Sequence, residues 1–384
     1  MSPHETPGAT GAAEIIVIGG GVIGLSIARE LARRGVSDVV LLDKGDLGKE
    51  ASWAAGGILA PQVEADSADD FFKLATASRD LYPSFAQALY DETGIDLELD
   101  QTGTLCIAFS EDDEAKLRQR FAWQQRAGLR VEWLDFDDVR RVEPHLSSQI
   151  RCALRFPDDW QVENRKLVEA LIASNEKLSI RLFPDCAVTS LRVDGDRVVG
   201  VDTGNGSIDA AVVVVCAGAW TSCLTSSKSS APIEIEPVRG QMLCFRPSPR
   251  MAHHVIYSKR GYLVPRRDGR LLAGSTSEHV GFDKRVSEEA ISSIKSMACE
   301  IVPALAVSPL VDSWAGFRPR ALDDLPVIGP HEEIEGLFYA TGHFRNGILL
   351  APMTAEVIAN LIVDHSSSSF IEAFSPKRFC MAHA

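Results

Sequence analysis

The stretch EIIVIGGGVIGLSIARELARRGVSDVVLLD, residues 14–43, decides the fold. Its β-branched run Ile15-Ile16-Val17-Ile18 meets Gly19-Gly20-Gly21 and gives way to Gly24, Ile27, Ala28 and Leu31, which recur at helical spacings of three and four. Gly35 is a stop for that helix, and Val39-Val40-Leu41-Leu42 supplies a second buried strand. Strand, helix and strand in this order predict a βαβ unit with parallel strands. Gly19-x-Gly21-x-x-Gly24 falls at the strand-to-helix junction, as a dinucleotide fingerprint requires. Gly19 permits the tight turn, Gly21 lets backbone approach a pyrophosphate, and Gly24 lets helix and strand pack closely. The diphosphate then faces the free N–H groups at the helix start, and Asp43, ending the second strand, is placed to accept from a ribose. A glycine-rich turn in a nucleotide-free α/β domain is the plainer alternative.

Outward from this unit, 211–215 followed by Ala217-Gly218 reads as a parallel strand buried on both faces. Tyr262-Leu263-Val264-Pro265 and Arg270-Leu271-Leu272-Ala273 flank Asp268-Gly269, a hairpin signal and hence an antiparallel pair. Residues 337–340 read as a strand, 342–347 as a turn, and Val357, Ile358, Leu361 and Ile362 as one face of a closing helix whose first turn tolerates Pro352. The expected fold class is α/β, α+β overall: a Rossmann-like nucleotide-binding domain with a parallel sheet, from 14–95, 155–232 and 310–364. A mainly antiparallel substrate domain, 96–154 and 233–309, is inserted into it, with flexible tails at 1–13 and 365–384.

The 384 residues carry 39 Lys and Arg against 53 Asp and Glu, a net charge of −14 that opposes attraction to nucleic-acid phosphates or anionic membranes. The longest apolar run, 210–217, is far shorter than the ~18 residues of a membrane span. Eight cysteines occur without a CxxC pair, which reads as reduced thiols in a cytoplasm and no metal site.

Three further motifs are informative together: Ala51-Ser52-Trp53-Ala54-Ala55-Gly56-Gly57-Ile58, Trp314-Ala315-Gly316-Phe317-Arg318-Pro319, and the block from Gly342-His343-Phe344-Arg345-Asn346-Gly347 to Pro352. With the N-terminal fingerprint they resemble, in chain order, the D-amino-acid oxidase superfamily, and within it the glycine oxidases associated with thiamine thiazole synthesis. The resemblance implies non-covalent FAD: Val22, Ile23, Asp43 and Lys44 at the ADP half, Ala51 and Ser52 at the middle, Gly56, Gly57 and Ile58 at the flavin, and the backbone of Val188 at the adenine. His343, Phe344, Arg345, Asn346, Gly347, Ile348 and Leu349 would pass the pyrimidine edge, where helix N–H groups stabilise negative charge. On the substrate side it implies that Arg318 pairs with a carboxylate, Tyr262 supplies a hydroxyl and Arg345 contacts substrate.

Without the resemblance, Arg318 reads as a solvated surface arginine, as a lone arginine more often is, and Tyr262 as a cross-strand packing residue. Ser277 departs from the pattern, standing where an apolar side chain lines the pocket, and Asp43 stands where glutamate is common. His343 reads as a structural or cofactor contact rather than a base, His253-His254 as a loop without a carboxylate or cysteine partner, and Asp158-Asp159 and Asp323-Asp324 as solvated turn acids. The expected activity is oxidation of glycine or another small amino acid or amine, with oxygen as acceptor, in a homo-oligomer. The rivals are a dehydrogenase of a D-amino acid, proline or sarcosine that feeds a quinone or carrier, a flavin domain acting on a tRNA base, and a non-catalytic nucleotide sensor.

Overall fold

The computed structural model describes residues 10–226, 233–366 and 369–380. Strand Thr10–Ile18 lies between Gly206–Val215 and Val39–Leu42, parallel to both, with Val17 opposite Val214 and Leu41. Arg181–Phe183 extends this sheet beyond Val39–Leu42, and Leu337–Thr341 pairs in parallel with the far end of Gly206–Val215. Side chains alternate across the sheet. Ile15, Val17, Val39 and Leu41 bury against helices Val22–Arg33, Asp70–Thr93, Asn164–Lys177 and Gly347–Ile362. Ile16, Ile18, Val40 and Leu42 bury on the other face, with the antiparallel strands Val188–Asp194 and Arg197–Thr203 contributing Leu191, Val198 and Val201. Being covered on both faces explains the unbroken apolar runs of the central strands.

A second, eight-stranded sheet runs in the order Leu310–Ala321, Ile235–Phe245, Leu271–Gly274, Gly261–Pro265, Val255–Ser258, Thr104–Ala108, Cys152–Phe156, Glu132–Asp135. The expected hairpin is present, with Tyr262 opposite Gly274 and Gly269 at φ +86° in the turn. Helix Glu288–Ile301 covers one face through Ile294, Met297 and Ala298.

Several boundaries fall elsewhere than the sequence indicates. Residues 310–321, expected in the nucleotide-binding unit, form the edge strand of the second sheet and pair with Ile235–Phe245 along their whole length. Strand Cys152–Phe156 crosses the boundary expected at 154. Residues 10–13, expected in a flexible leader, pair with 207–210, and residues 1–9 lie outside the described residues. The C-terminal tail folds back as Ser369–Phe374 and Lys377–Cys380, seating Phe374 in the helical core and pairing Arg378 with Asp323 at 2.6 Å; Ser367, Ser368 and 381–384 lie outside the described residues.

Helix Gly347–Ile362 carries Pro352 in its second turn. Proline has no N–H to give the carbonyl four residues back, that of Ile348. The buried Tyr82 hydroxyl donates to that carbonyl instead. One turn along Asp70–Thr93, Ser78 Oγ donates to Leu349 O at 2.7 Å and accepts from Met353 N at 3.3 Å. These hydroxyls carry the hydrogen-bond ladder past the proline and anchor the start of the helix.

Candidate active site

A long cavity opens at the carboxyl ends of the parallel strands, where Ile18, Leu42, Cys216 and Ala340 contribute to its wall. This is where open α/β sheets bind ligands. Of the residues singled out for a cofactor, Gly19, Gly21, Val22, Ile23, Asp43, Lys44, Ala51, Ser52, Gly56, Gly57, Ile58 and Val188 line it. So does the run from His343 to Ile348. Gly24 stays out of the wall: a Cβ there would lie 1.9 Å from Gly19 O, the close packing its position demands. Leu349, expected at the cavity, turns into the core instead and is 1 % exposed, because the helix has by then rotated it away.

Asp43 Oδ2 accepts from Gly20 N at 2.6 Å and Oδ1 from Gly45 N at 2.9 Å, so the carboxylate braces the glycine loop and keeps lone pairs for a ligand. Burial nevertheless pushes its pKa above the ordinary value. Helix Val22–Arg33 has no side-chain cap of its own; Ser52 Oγ takes the Val22 N–H at 2.9 Å. The segment 51–57 is held from behind. Asn164 Nδ2 donates to Ser52 O at 2.8 Å and Trp53 O at 3.1 Å, and buried Arg266 donates to Gly56 O, Asn164 Oδ1 and Val162 O at 2.8–2.9 Å. Helix 51–54 lies directly on the second sheet because Gly316 has no side chain: a Cβ there would sit 2.5 Å from that of Ala54.

At the other end of the cavity, Tyr262, Arg318 and Arg345 come together from three elements. Arg318 fits because Gly240, on the paired strand, leaves room; a Cβ there would lie 2.3 Å from Nη1. Its guanidinium donates to Thr276 O at 3.0 Å and Ser275 Oγ at 2.5 Å, both neutral. Burial lowers its pKa, the nearby Arg345 adds to that, and Tyr262 opposes it; an arginine still keeps its charge. Arg345 donates to Glu64 Oε1 at 3.2 Å, and that carboxylate raises its pKa. Tyr257, its own pKa raised by burial, donates to the same Glu64 oxygen at 3.2 Å. One guanidinium is thus neutralised by a carboxylate, and the other has neutral partners among the described residues.

A family description, FAD dependent oxidoreductase, matches residues 14–361. The chain belongs to the FAD dependent oxidoreductase family. It is 36% identical over 349 residues to a glycine oxidase of Pseudomonas aeruginosa, covering 91% of this chain and 94% of that protein. The crystal structure of glycine oxidase from Geobacillus kaustophilus superposes with a TM-score of 0.91 at 34% identity, covering 95% of this chain and 98% of the other. A bifunctional ThiO/ThiG protein of Synechocystis is 34% identical over 95% of this chain, which spans 54% of its length.

The donor set of this FAD-dependent oxidoreductase fits its cofactor. The glycine loop opens backbone at a helix N-terminus for a diphosphate, Asp43 offers a carboxylate beside it, and a second uncapped helix start, at Gly347, faces the same cavity. His343 is buried against Thr354, with Nε2 3.0 Å from Oγ1, and burial lowers its pKa to about 3, so it is neutral and is not poised as a base.

Other expectations are corrected. Ser277 is exposed and lies outside the cavity wall; the hydroxyl beside Arg318 belongs to Ser275, two residues earlier, where the chain leaves strand Leu271–Gly274. Asp159, expected in solvent, is fully buried and accepts from Gln62 N at 3.0 Å and Val63 N at 2.8 Å, and burial raises its pKa to about 7. It thereby fixes the short helix Pro61–Glu64 that delivers Glu64. His254, expected to lack a carboxylate partner, has one in buried Glu143, whose Oε1 lies 2.7 Å from Nδ1 and also takes the N–H groups of His253 and His254. No local pattern marked Glu64, Tyr257, Asn164, Arg266 or Ser275, since their partners lie far away in sequence; the Pro-Arg turn before Asp268-Gly269 was the nearest signal for Arg266. Among the described residues no group of His, Cys, Asp and Glu suits a metal, and no helix is long and apolar enough to cross a membrane.

Proposed function

We propose that this chain oxidises glycine or another small amino acid or secondary amine to the imine, which water converts to a 2-oxo acid and ammonia, or a primary amine where the substrate amine is secondary, with oxygen reduced to hydrogen peroxide. The observation that carries this reading is Arg318: a desolvated guanidinium facing the cofactor cavity whose partners, Thr276 O and Ser275 Oγ, are neutral. Such a group favours an anionic ligand, and its planar fork suits a carboxylate. FAD, held without a covalent bond by the glycine loop, Asp43, residues 51–58 and the start of helix Gly347–Ile362, supplies the two-electron acceptor.

The remaining work belongs to the protein. Arg318 anchors the carboxylate and so fixes the position of the adjacent Cα. Tyr262 presents its hydroxyl beside the same carboxylate. Arg345, tied to Glu64, closes the wall without presenting a free charge. The relatives named glycine oxidase support this substrate class, and the bifunctional relative supports a place beside thiamine thiazole synthesis.

The test is an anaerobic visible titration of the purified holoenzyme with glycine, sarcosine, D-alanine and D-proline, followed by air. Bleaching by a small amine with recovery in air is the expected result. Bleaching that air does not reverse points to a dehydrogenase, and a flavoprotein that none of them bleaches overturns the proposal.

A further inference from the structure

Ser275 stands behind Arg318, outside the cavity wall, with its hydroxyl between two groups of the site: Arg318 Nη2 at 2.5 Å and the Tyr262 hydroxyl at 3.3 Å. We propose that Ser275 is a positioning residue that sets the rotation of the Arg318 guanidinium and joins it to Tyr262, so that the two receive a carboxylate as one unit. The inference rests on the reading of Arg318 as the carboxylate anchor.

A guanidinium has five N–H donors and no acceptor, and one Arg318 donor goes to Thr276 O and one to Ser275 Oγ. The others face the Tyr262 oxygen and the cavity, and the two donors held by Thr276 and Ser275 define the plane in which they lie. The Thr276 carbonyl alone is a hinge; with the Ser275 oxygen added, rotation about the hinge stops. Other restraints here are weak. Gly240, across the strand pair, has no side chain to wedge the guanidinium, and no carboxylate lies within ion-pair distance among the described residues.

A hydroxyl also has one proton and two lone pairs. With one lone pair taken by Arg318, Ser275 can still give its proton to the Tyr262 oxygen, which turns the tyrosine proton outward to a ligand. It can instead accept from Tyr262, which turns the tyrosine oxygen outward. The serine thus orients a hydroxyl that faces the cavity, although it touches no ligand itself. Tyr262 has two other polar neighbours: the Arg318 guanidinium itself, and Met242 Sδ at 3.5 Å, a weak acceptor that does not compete.

The probe is acetate, a carboxylate without an oxidisable amine, titrated into the oxidised holoenzyme by calorimetry, with acetamide as the neutral control. For Ser275→Ala and the near-isosteric Ser275→Cys the acetate Kd is expected to rise about 5- to 20-fold with acetamide binding unchanged, and Ser275→Thr to restore the wild-type value. With the preferred amine, KM rises by a similar factor and kcat changes less than about threefold, the signature of lost binding common to ground and transition states. Acetate binding unchanged in both Ala and Cys variants overturns the proposal. Arg318→Ala separates the two claims: if it loses acetate while Ser275→Ala does not, the anchor stands and the serine's role falls. If Arg318→Ala binds acetate like wild type, the anchor reading itself falls and this inference with it.

Discussion

Replacing Tyr82 by Phe deletes one oxygen from the core and tests how the cofactor-facing helix is held. Pro352 leaves the Ile348 carbonyl without its intrahelical donor, and the Tyr82 hydroxyl is the group that donates to it. Tyr82 is fully buried, so water does not replace the lost bond. A buried carbonyl left unsatisfied costs about 1–3 kcal/mol. At about 2 °C per kcal/mol for a chain of this size, the thermal midpoint of the holoenzyme at fixed FAD falls by about 2–6 °C. The cause is isolated by a second variant. In Pro352→Ala the new amide can satisfy Ile348 O, so adding Tyr82→Phe there should cost less than about 0.5 kcal/mol. The coupling energy of the cycle is then at least about 0.5 kcal/mol and up to about 3 kcal/mol. Equal losses in both backgrounds would falsify the idea that Tyr82 substitutes for the missing amide and leave only its packing against Phe85.

Gly240→Ala puts a methyl within 2.5 Å of the Arg318 guanidinium. Acetate affinity measured by calorimetry should fall roughly tenfold or more, while overpacking costs about 1–3 kcal/mol of stability. Arg266→Lys keeps the charge but loses the fork that holds Gly56 O, Val162 O and Asn164 Oδ1; FAD affinity, read from the fluorescence of released flavin, should weaken about tenfold. Asp159 carries a folded pKa of about 7 against an ordinary 3.8, a raised value. Its contribution to stability is therefore full below about pH 4 and lost as pH rises through about 7. Asp159→Asn should accordingly destabilise more at pH 5 than at pH 8, by at most about 3 kcal/mol in the difference; denaturation midpoints that shift equally at both pH values would contradict the assignment.

What could be read from the sequence was whatever depends on local periodicity and backbone chemistry. The β-branched run, the glycine loop and the helical spacing after it defined the first βαβ unit, because a buried parallel strand and a tight strand-to-helix turn each restrict residue type within a few positions. The Asp268-Gly269 turn marked its hairpin for the same reason, and the blocks around Arg318 and His343 carried enough specific residues to signal the family. Pro352, expected in the first turn of its helix, lies in the second, where side-chain hydroxyls have to bridge it.

Tertiary structure decided everything that depends on partners distant in the chain. Strand Leu310–Ala321 joined the second sheet because its register with Ile235–Phe245 brings Gly316 opposite Gly240, a pairing no local pattern encodes. Asp159 turned from a solvated turn acid into a buried anchor because the amides of Gln62 and Val63, almost a hundred residues earlier, arrive at its carboxylate. Ser277, expected in the pocket lining, is exposed and Ser275 meets the arginine instead, because leaving a strand rotates successive side chains to different sides and only the placed guanidinium shows which one it meets. Motifs fix local geometry through steric limits on a few residues, whereas burial, charge pairing and hydrogen-bond satisfaction are properties of the assembled neighbours and exist only once the chain has folded.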